Sequence, residues 1–225
     1  MARYSKLEVI QTMLDTGIVP VNYQDNPEDA MGVLKACYLG GVRVFEFTNR
    51  GDFAHEIFGK LRAFVAEECP DMILGAGSVI DAPTATLYMQ LGADFIVGPY
   101  FNIEVSRVCN RRLIPYIPGC GSVTEIGNAQ ESGCDVCKVF PAGNVGGPSF
   151  VKNVKAPLPW SRLMVTGGVE PTEESITAWI RAGASCIGLG SKLFPDKYIK
   201  AQAWNEISDL CRKALEAVQN ARKLK

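Results

Sequence analysis

The chain has 225 residues, 47% of them hydrophobic and 21% charged, with a formal charge of -1. That length holds one α/β domain with a sizeable core, and the near-neutral balance gives no basic footprint for nucleic acid and no cationic amphipathic face for a membrane. No run approaches the roughly 20 apolar residues a spanning helix needs, and "MARYSKLEVIQTML" is charged where a signal peptide would be apolar, so a cytoplasmic location is expected.

In chain order, a helical segment carrying Leu7, Ile10, Met13 and Leu14 comes first and is expected to cover one end of the fold. Eight short runs rich in Val, Ile and Phe follow: 17–23, 42–48, 72–79, 94–101, 113–119, 135–141, 162–169 and 186–191. Helical segments separate them. In "NPEDAMGVLKACYLGG", Asn26 can cap, Pro27 suits the first turn, and Gly40 with Gly41 stops the helix. Asp81 with Gly92 repeats the pattern, and Gly183 ends a later helix. Strand, helix, small-residue stop and next strand form a parallel βα unit. Eight of them without a linker predict one domain over 1–225, a TIM (β/α)8 barrel with an extra N-terminal helix. A last amphipathic segment carries Trp204, Ile207, Cys211, Leu215 and Val218 at helical spacing, as expected of core packing or a subunit contact.

Working residues of such a barrel lie at the C-terminal ends of its strands. In "VRVFEFTNR", Val44, Glu46, Thr48 and Arg50 share one parity. If that set faces the barrel interior, Glu46 is an enclosed carboxylate with an arginine above it. By the same count Val136, Lys138 and Phe140 share a face, and Met164 shares one with Thr166. A buried Lys-Glu pair is a poor stability device, because desolvating both charges costs several kcal/mol each by typical estimates. A chemical role has a clearer physical reason. Lysine attacks a carbonyl only as the free amine, and an enclosed site disfavours the charged form. The imine that results is an electron sink for carbon–carbon cleavage, for which Glu46 can move protons.

"TGGV" at 166–169 and "GLGS" at 188–191 end the seventh and eighth runs, where backbone N–H groups of small residues cradle phosphate in this fold. "GAGSVI" at 75–80 is not a dinucleotide fingerprint, since Ile80 occupies the third glycine position; Ser78 there is a polar contact at a strand end. Cys134 and Cys137 form a C-x-x-C, but in an extended strand positions three apart face opposite sides, which disfavours chelation. The eight cysteines sit mostly in apolar segments, as small core residues of a reducing compartment do. His55 is the single histidine and falls in a helical segment, so no zinc-type ligand cluster is expected.

"GVRVFEFTNR", "GCDVCKVFPA", "VTGGV" and "GLGSKLF", in that order, resemble the 2-keto-3-deoxy-6-phosphogluconate (KDPG) aldolase family, also described as 4-hydroxy-2-oxoglutarate aldolases, over about residues 7–195. The resemblance implies Lys138 as the imine-forming lysine, Glu46 as the catalytic glutamate and Arg50 as the carboxylate ligand. It implies that Thr166, Ser78, Pro99 and Phe140 line the pocket, and that Gly167, Gly168 and Ser191 bind phosphate. It further implies cleavage of a phosphorylated keto acid to pyruvate and glyceraldehyde 3-phosphate, no metal or cofactor, and a homotrimer. Asn49, Val139, "GPYF" and the loop "IPGCGSVTE" depart from the family pattern near the mouth, which leaves substrate preference open. The alternatives are a 4-hydroxy-2-oxoglutarate aldolase, which needs no phosphate, a noncatalytic sugar-phosphate-binding barrel, or an epimerase or isomerase on a similar barrel.

Overall fold

A computed structural model describes residues 2–223. The strands are β1 Ile18–Asn22, β2 Val44–Thr48, β3 Ile73–Gly77, β4 Ile96–Val97, β5 Tyr116–Ile117, β6 Gly119–Cys120, β7 Cys137–Val139, β8 Leu163–Thr166 and β9 Cys186–Leu189. All pair in parallel, in the order β5-β4-β3-β2-β1-β9-β8-β7-β6. The fifth expected strand is thus split at Pro118 into β5 and β6, whose halves stand at opposite ends of that order. Their continuity closes the ring: β5 bonds to β4 and β6 to β7. The Gly119 N–H donates to Gly98 O on one side (3.0 Å), while Pro118 O accepts from the Lys138 N–H on the other (2.8 Å). Nine short strands therefore make the expected (β/α)8 architecture, its fifth strand bent where proline removes a donor.

Alternation sorts the side chains into two layers. Phe45, Phe47, Leu74, Cys137, Val139 and Val165 face the surrounding helices, whereas Val19, Val44, Ile73, Phe95, Val136 and Met164 fill the lumen. Three interior positions carry glycine because a larger neighbour takes the space. A Cβ on Gly75 would overlap the Phe95 ring, one on Gly77 the Glu46 carboxylate, and one on Gly188 the Thr166 hydroxyl.

The N-terminal helix α1, Lys6–Thr16, does plug the barrel floor, through Val9 and Met13 in the lumen cluster. The expected stripe was out of phase at its first residue, since Leu7 is 81% exposed. Ser5 and Glu8 form a capping box that sets where the helix starts. Asn26 accepts from the Glu28 and Asp29 N–H groups, Asp81 from Thr84, and Gly183 ends its helix at φ 111°. The closing helix α2, Trp204–Lys223, buries Ile207, Cys211 and Val218 against the core, while Leu215 is only half-buried. Among the described residues no helix is long and apolar enough to cross a membrane.

Candidate active site

The interior parity of β2 and β7 brings two charges together. Lys138 Nζ lies 3.9 Å from Glu46 Oε1, and both side chains are buried. That separation is an ion pair but too long for a hydrogen bond, so each group is free to engage a third molecule. Neither Glu46 carboxylate oxygen, nor Thr166 Oγ1, has a hydrogen-bond partner among the described residues. Burial raises the Glu46 carboxyl above its usual value near 4.5, against the opposing pull of Lys138 and Arg50. A buried carboxylate left without donors costs stability, a pattern that marks functional sites. The Lys138 ammonium also stands 5.0 Å from the centroid of the Phe140 ring.

Gly77 sets the carboxylate's place. Gly77→Ala puts a methyl onto Glu46 Oε1, so the carboxylate must swing away from Lys138. Activity is expected to fall about 10–100-fold from that misplacement, while the far-ultraviolet circular dichroism stays native.

A cleft of about 200 Å³ opens at the C-terminal ends of the strands, lined by Arg50, Phe140, Thr166, Gly167, Gly168 and Ser191. Val21, the register partner of Glu46, also lines it, as do Gly188 and Gly190. Six of the expected site residues thus meet in one volume, with Lys138 two residues before Phe140 on the same strand face. Gly167 and Gly168 have φ of 85° and 84°, which glycine adopts without strain. The following turn docks on them: the Ala142 N–H donates to Thr166 O and the Gly143 N–H to Gly167 O, at 2.9 and 2.8 Å. A Cβ on Gly168 would press into Gly143 Cα, so both turns need their glycines. Successive positive-φ peptides form a concavity suited to an anion.

Arg50 follows β2 in a loop held from two sides. The Asn49 N–H donates to Gly77 O, and Asn49 Oδ1 accepts from the buried Tyr88 hydroxyl at 3.0 Å. Asn49, a departure noted in the sequence, therefore anchors the arginine's neighbour. Arg50 Nε approaches Ser78 Oγ at 3.5 Å, which ties Ser78 to the site at the margin of hydrogen-bond distance. Pro99 stands apart from the cleft lining, with its carbonyl packed where a Cβ of Gly119 would be; Gly119 is the register partner of Lys138. Sequence reasoning missed Lys192, a second cation in the cleft, which pairs with Glu170 at 3.5 Å. Its adjacency to Ser191 was the available signal.

The two cysteines of the C-x-x-C do not face opposite sides. Cys134 precedes β7, in the turn, so alternation does not relate it to Cys137, and both pack in the outer layer. Burial pushes the Cys134 thiol up to about 12, which keeps it protonated and unreactive. All eight cysteines are free and buried.

The closed parallel barrel, with an amine and a carboxylate enclosed at the top of its strands, is that of an aldolase, a lyase acting on carbon–carbon bonds. Residues 9–210 match the family described as KDPG and KHG aldolase, and the chain belongs to that family. The 2-dehydro-3-deoxy-phosphogluconate aldolase of Treponema pallidum is 30% identical over 94% of this chain and 98% of its own. The KHG/KDPG aldolase of Escherichia coli strain K12 is 31% identical over 93% and 96%. The KDPG aldolase of Legionella pneumophila, solved with pyruvate captured as a covalent carbinolamine, superposes with a TM-score of 0.81 at 28% identity, covering 89% of this chain and 95% of that one.

Proposed function

We propose that the protein cleaves 2-dehydro-3-deoxy-6-phosphogluconate to pyruvate and glyceraldehyde 3-phosphate through an imine on Lys138. The observation that carries this reading is the buried Lys138 and Glu46 pair, 3.9 Å apart, next to a cleft with a cationic, glycine-lined end. Arg50 holds the C1 carboxylate of the keto acid, and the Lys138 amine attacks its C2 carbonyl. The carbinolamine loses water to give the imine. Glu46 then takes the C4 hydroxyl proton, the C3–C4 bond breaks, and its electrons pass into the imine to form an enamine. Protonation at C3 and hydrolysis release pyruvate and restore the amine.

Gly167, Gly168 and Ser191 bind the distal phosphate, while Thr166 and Phe140 wall the chain, Ser78 supports Arg50, and Pro99, outside the cleft lining, backs Gly119 beside Lys138. Phosphate binding positions the scissile bond far from the charge that is bound. One barrel domain supplies every group, and the eight buried thiols suit a reducing cytoplasm. Borohydride reduction with pyruvate, followed by peptide mass spectrometry, is expected to place a pyruvyl adduct on Lys138. Folded protein that binds pyruvate without an adduct would sink the imine mechanism. The Escherichia coli relative's double name favours a second aldehyde product, glyoxylate, from 4-hydroxy-2-oxoglutarate through the same imine. Relative rates on the two keto acids separate the readings.

The assembly we propose is a homotrimer. Phe53, Ile80, Tyr100, Ile103 and Val123, all on successive loops or helix starts after β2 to β6, leave large apolar surface exposed along one rim. Light scattering should give three chain masses, and a monomer mass at micromolar concentration would overturn it.

A further inference from the structure

The cleft forks at Arg50. Val21, Arg50 and Ser191 line both the glycine-rich lobe described above and a second lobe, again of about 200 Å³. The second is walled by Asn22, Tyr23 and Gln24 at the end of β1 and by Phe194, Asp196 and Ile199 beyond β9. Chemistry separates the two. With Arg50 given to the C1 carboxylate, the charged residue left to the first lobe is Lys192, paired at its edge with Glu170, whereas the one left to the second is Asp196. An anionic tail gains from the first and meets a carboxylate in the second.

The second lobe is built rather than left over. Tyr23 packs its ring against Phe47, with centroids 5.7 Å apart, and its hydroxyl occupies the space where a Cβ of Gly51 would stand. The missing side chain next to Arg50 is thus what lets a phenol form the wall. Gln24 Nε2 donates to Asn22 Oδ1 at 3.3 Å, which orients the pair and leaves the Asn22 amide hydrogens and the Gln24 carbonyl for other partners. Phe194, buried, makes an apolar floor. Neutral donors and acceptors, one phenol, one carboxylate and an apolar floor match a chain of hydroxyl groups and methine carbons, not a phosphate.

We infer that the second lobe is a subsite for an uncharged polyhydroxylated tail, so that the enzyme also cleaves and forms unphosphorylated 2-keto-3-deoxy sugar acids. This rests on the imine reading of Lys138. The chemistry balances as before: the C3–C4 bond breaks, the C4 hydroxyl proton goes to Glu46, the enamine carbon regains a proton, and the water lost on imine formation is returned on hydrolysis. The products are pyruvate and an uncharged hydroxyaldehyde.

The test is condensation of pyruvate with D-glyceraldehyde and with D-glyceraldehyde 3-phosphate, read as the ratio of the two kcat/KM values. Wild type is expected to turn over both. In Asn22→Ala/Gln24→Ala the ratio should fall about tenfold, the effect of losing one or two hydrogen bonds. Asp196→Ala, at an exposed position that folding tolerates, should lower it in the same direction. Lys192→Ala, in the other lobe, should raise it. A ratio unchanged in both second-lobe variants, or wild type that uses only the phosphorylated aldehyde, overturns the subsite and leaves the imine aldolase standing. Turnover of neither aldehyde, with no pyruvyl adduct, overturns both.

Discussion

Lys138→Met should lower kcat for aldol cleavage by at least about 10⁴-fold and abolish the borohydride-trapped adduct, because no other group can supply the nitrogen of the imine. A loss of that size corresponds to about 5.4 kcal/mol of barrier, well beyond the roughly 0.5–3 kcal/mol of an ordinary or charged hydrogen bond. Methionine keeps an unbranched side chain beside Phe140, one atom shorter, and removes the charge. Glu46, with the Lys138 pull gone, is raised further above its ordinary value by burial, so the charged form left without a partner becomes the less favoured one. The change is therefore expected to fold, and native circular dichroism should accompany the lost rate. Lys138→Arg separates covalent from electrostatic roles. It keeps a cation near Glu46 but cannot form the imine, so it should be as inactive as the methionine variant. Activity within tenfold of wild type in either variant would place the nucleophile elsewhere.

The catalytic face was legible because strand alternation is a hard constraint. Once Val44, Val136 and Met164 point into the lumen, Glu46, Lys138 and Thr166 must follow two residues on, and the structure buries all three. Caps at Asn26 and Asp81 were legible for a local reason, since a side-chain oxygen reaches the N–H groups two or three residues ahead. What depends on contacts between distant segments was not. The split at Pro118 is a matter of which neighbour each half-strand bonds, and 113–119 alone carries no record of that. Lys192 joins the cleft only when the loops after β8 and β9 meet. Asn22 to Gln24 look like an ordinary polar strand end until Gly51, from another unit, makes room for Tyr23. In α1 the local signal misled: spacing alone allows an apolar stripe through Leu7, but packing on the barrel floor buries Val9 with Met13 and leaves Leu7 in solvent, which only the lumen residues of distant strands decide.

Glu46→Gln should cost about 10²–10⁴-fold in kcat, the range for losing a positioned general acid–base, while the adduct on Lys138 still forms because the nucleophile remains. The acid limb of the wild-type kcat/KM profile should fall above pH 4.5, since burial raises the carboxyl and the base is lost as it protonates. That limb should vanish in the variant. Stability gives a second reading of the same group. Its folded-state pKa lies above the unfolded one, so its favourable contribution is complete below about pH 4.5 and is lost as pH rises through the raised folded value. Glutamine has no such loss. The unpaired Lys138 left by the substitution is a separate penalty, which lowers the whole curve of the variant. The difference in unfolding free energy between variant and wild type should therefore move in favour of the variant from pH 4 to pH 7, at no more than about 1.4 kcal/mol per pH unit, the slope for one proton. Urea titrations at three pH values check this. A difference that stays flat would mean Glu46 ionises as an ordinary exposed carboxylate, and a difference that moves the other way would mean Lys138 and Arg50 outweigh its burial. Either result removes the strained carboxylate from the mechanism. The expected result would show that the barrel gives up stability to keep an acceptor without donors beside its lysine.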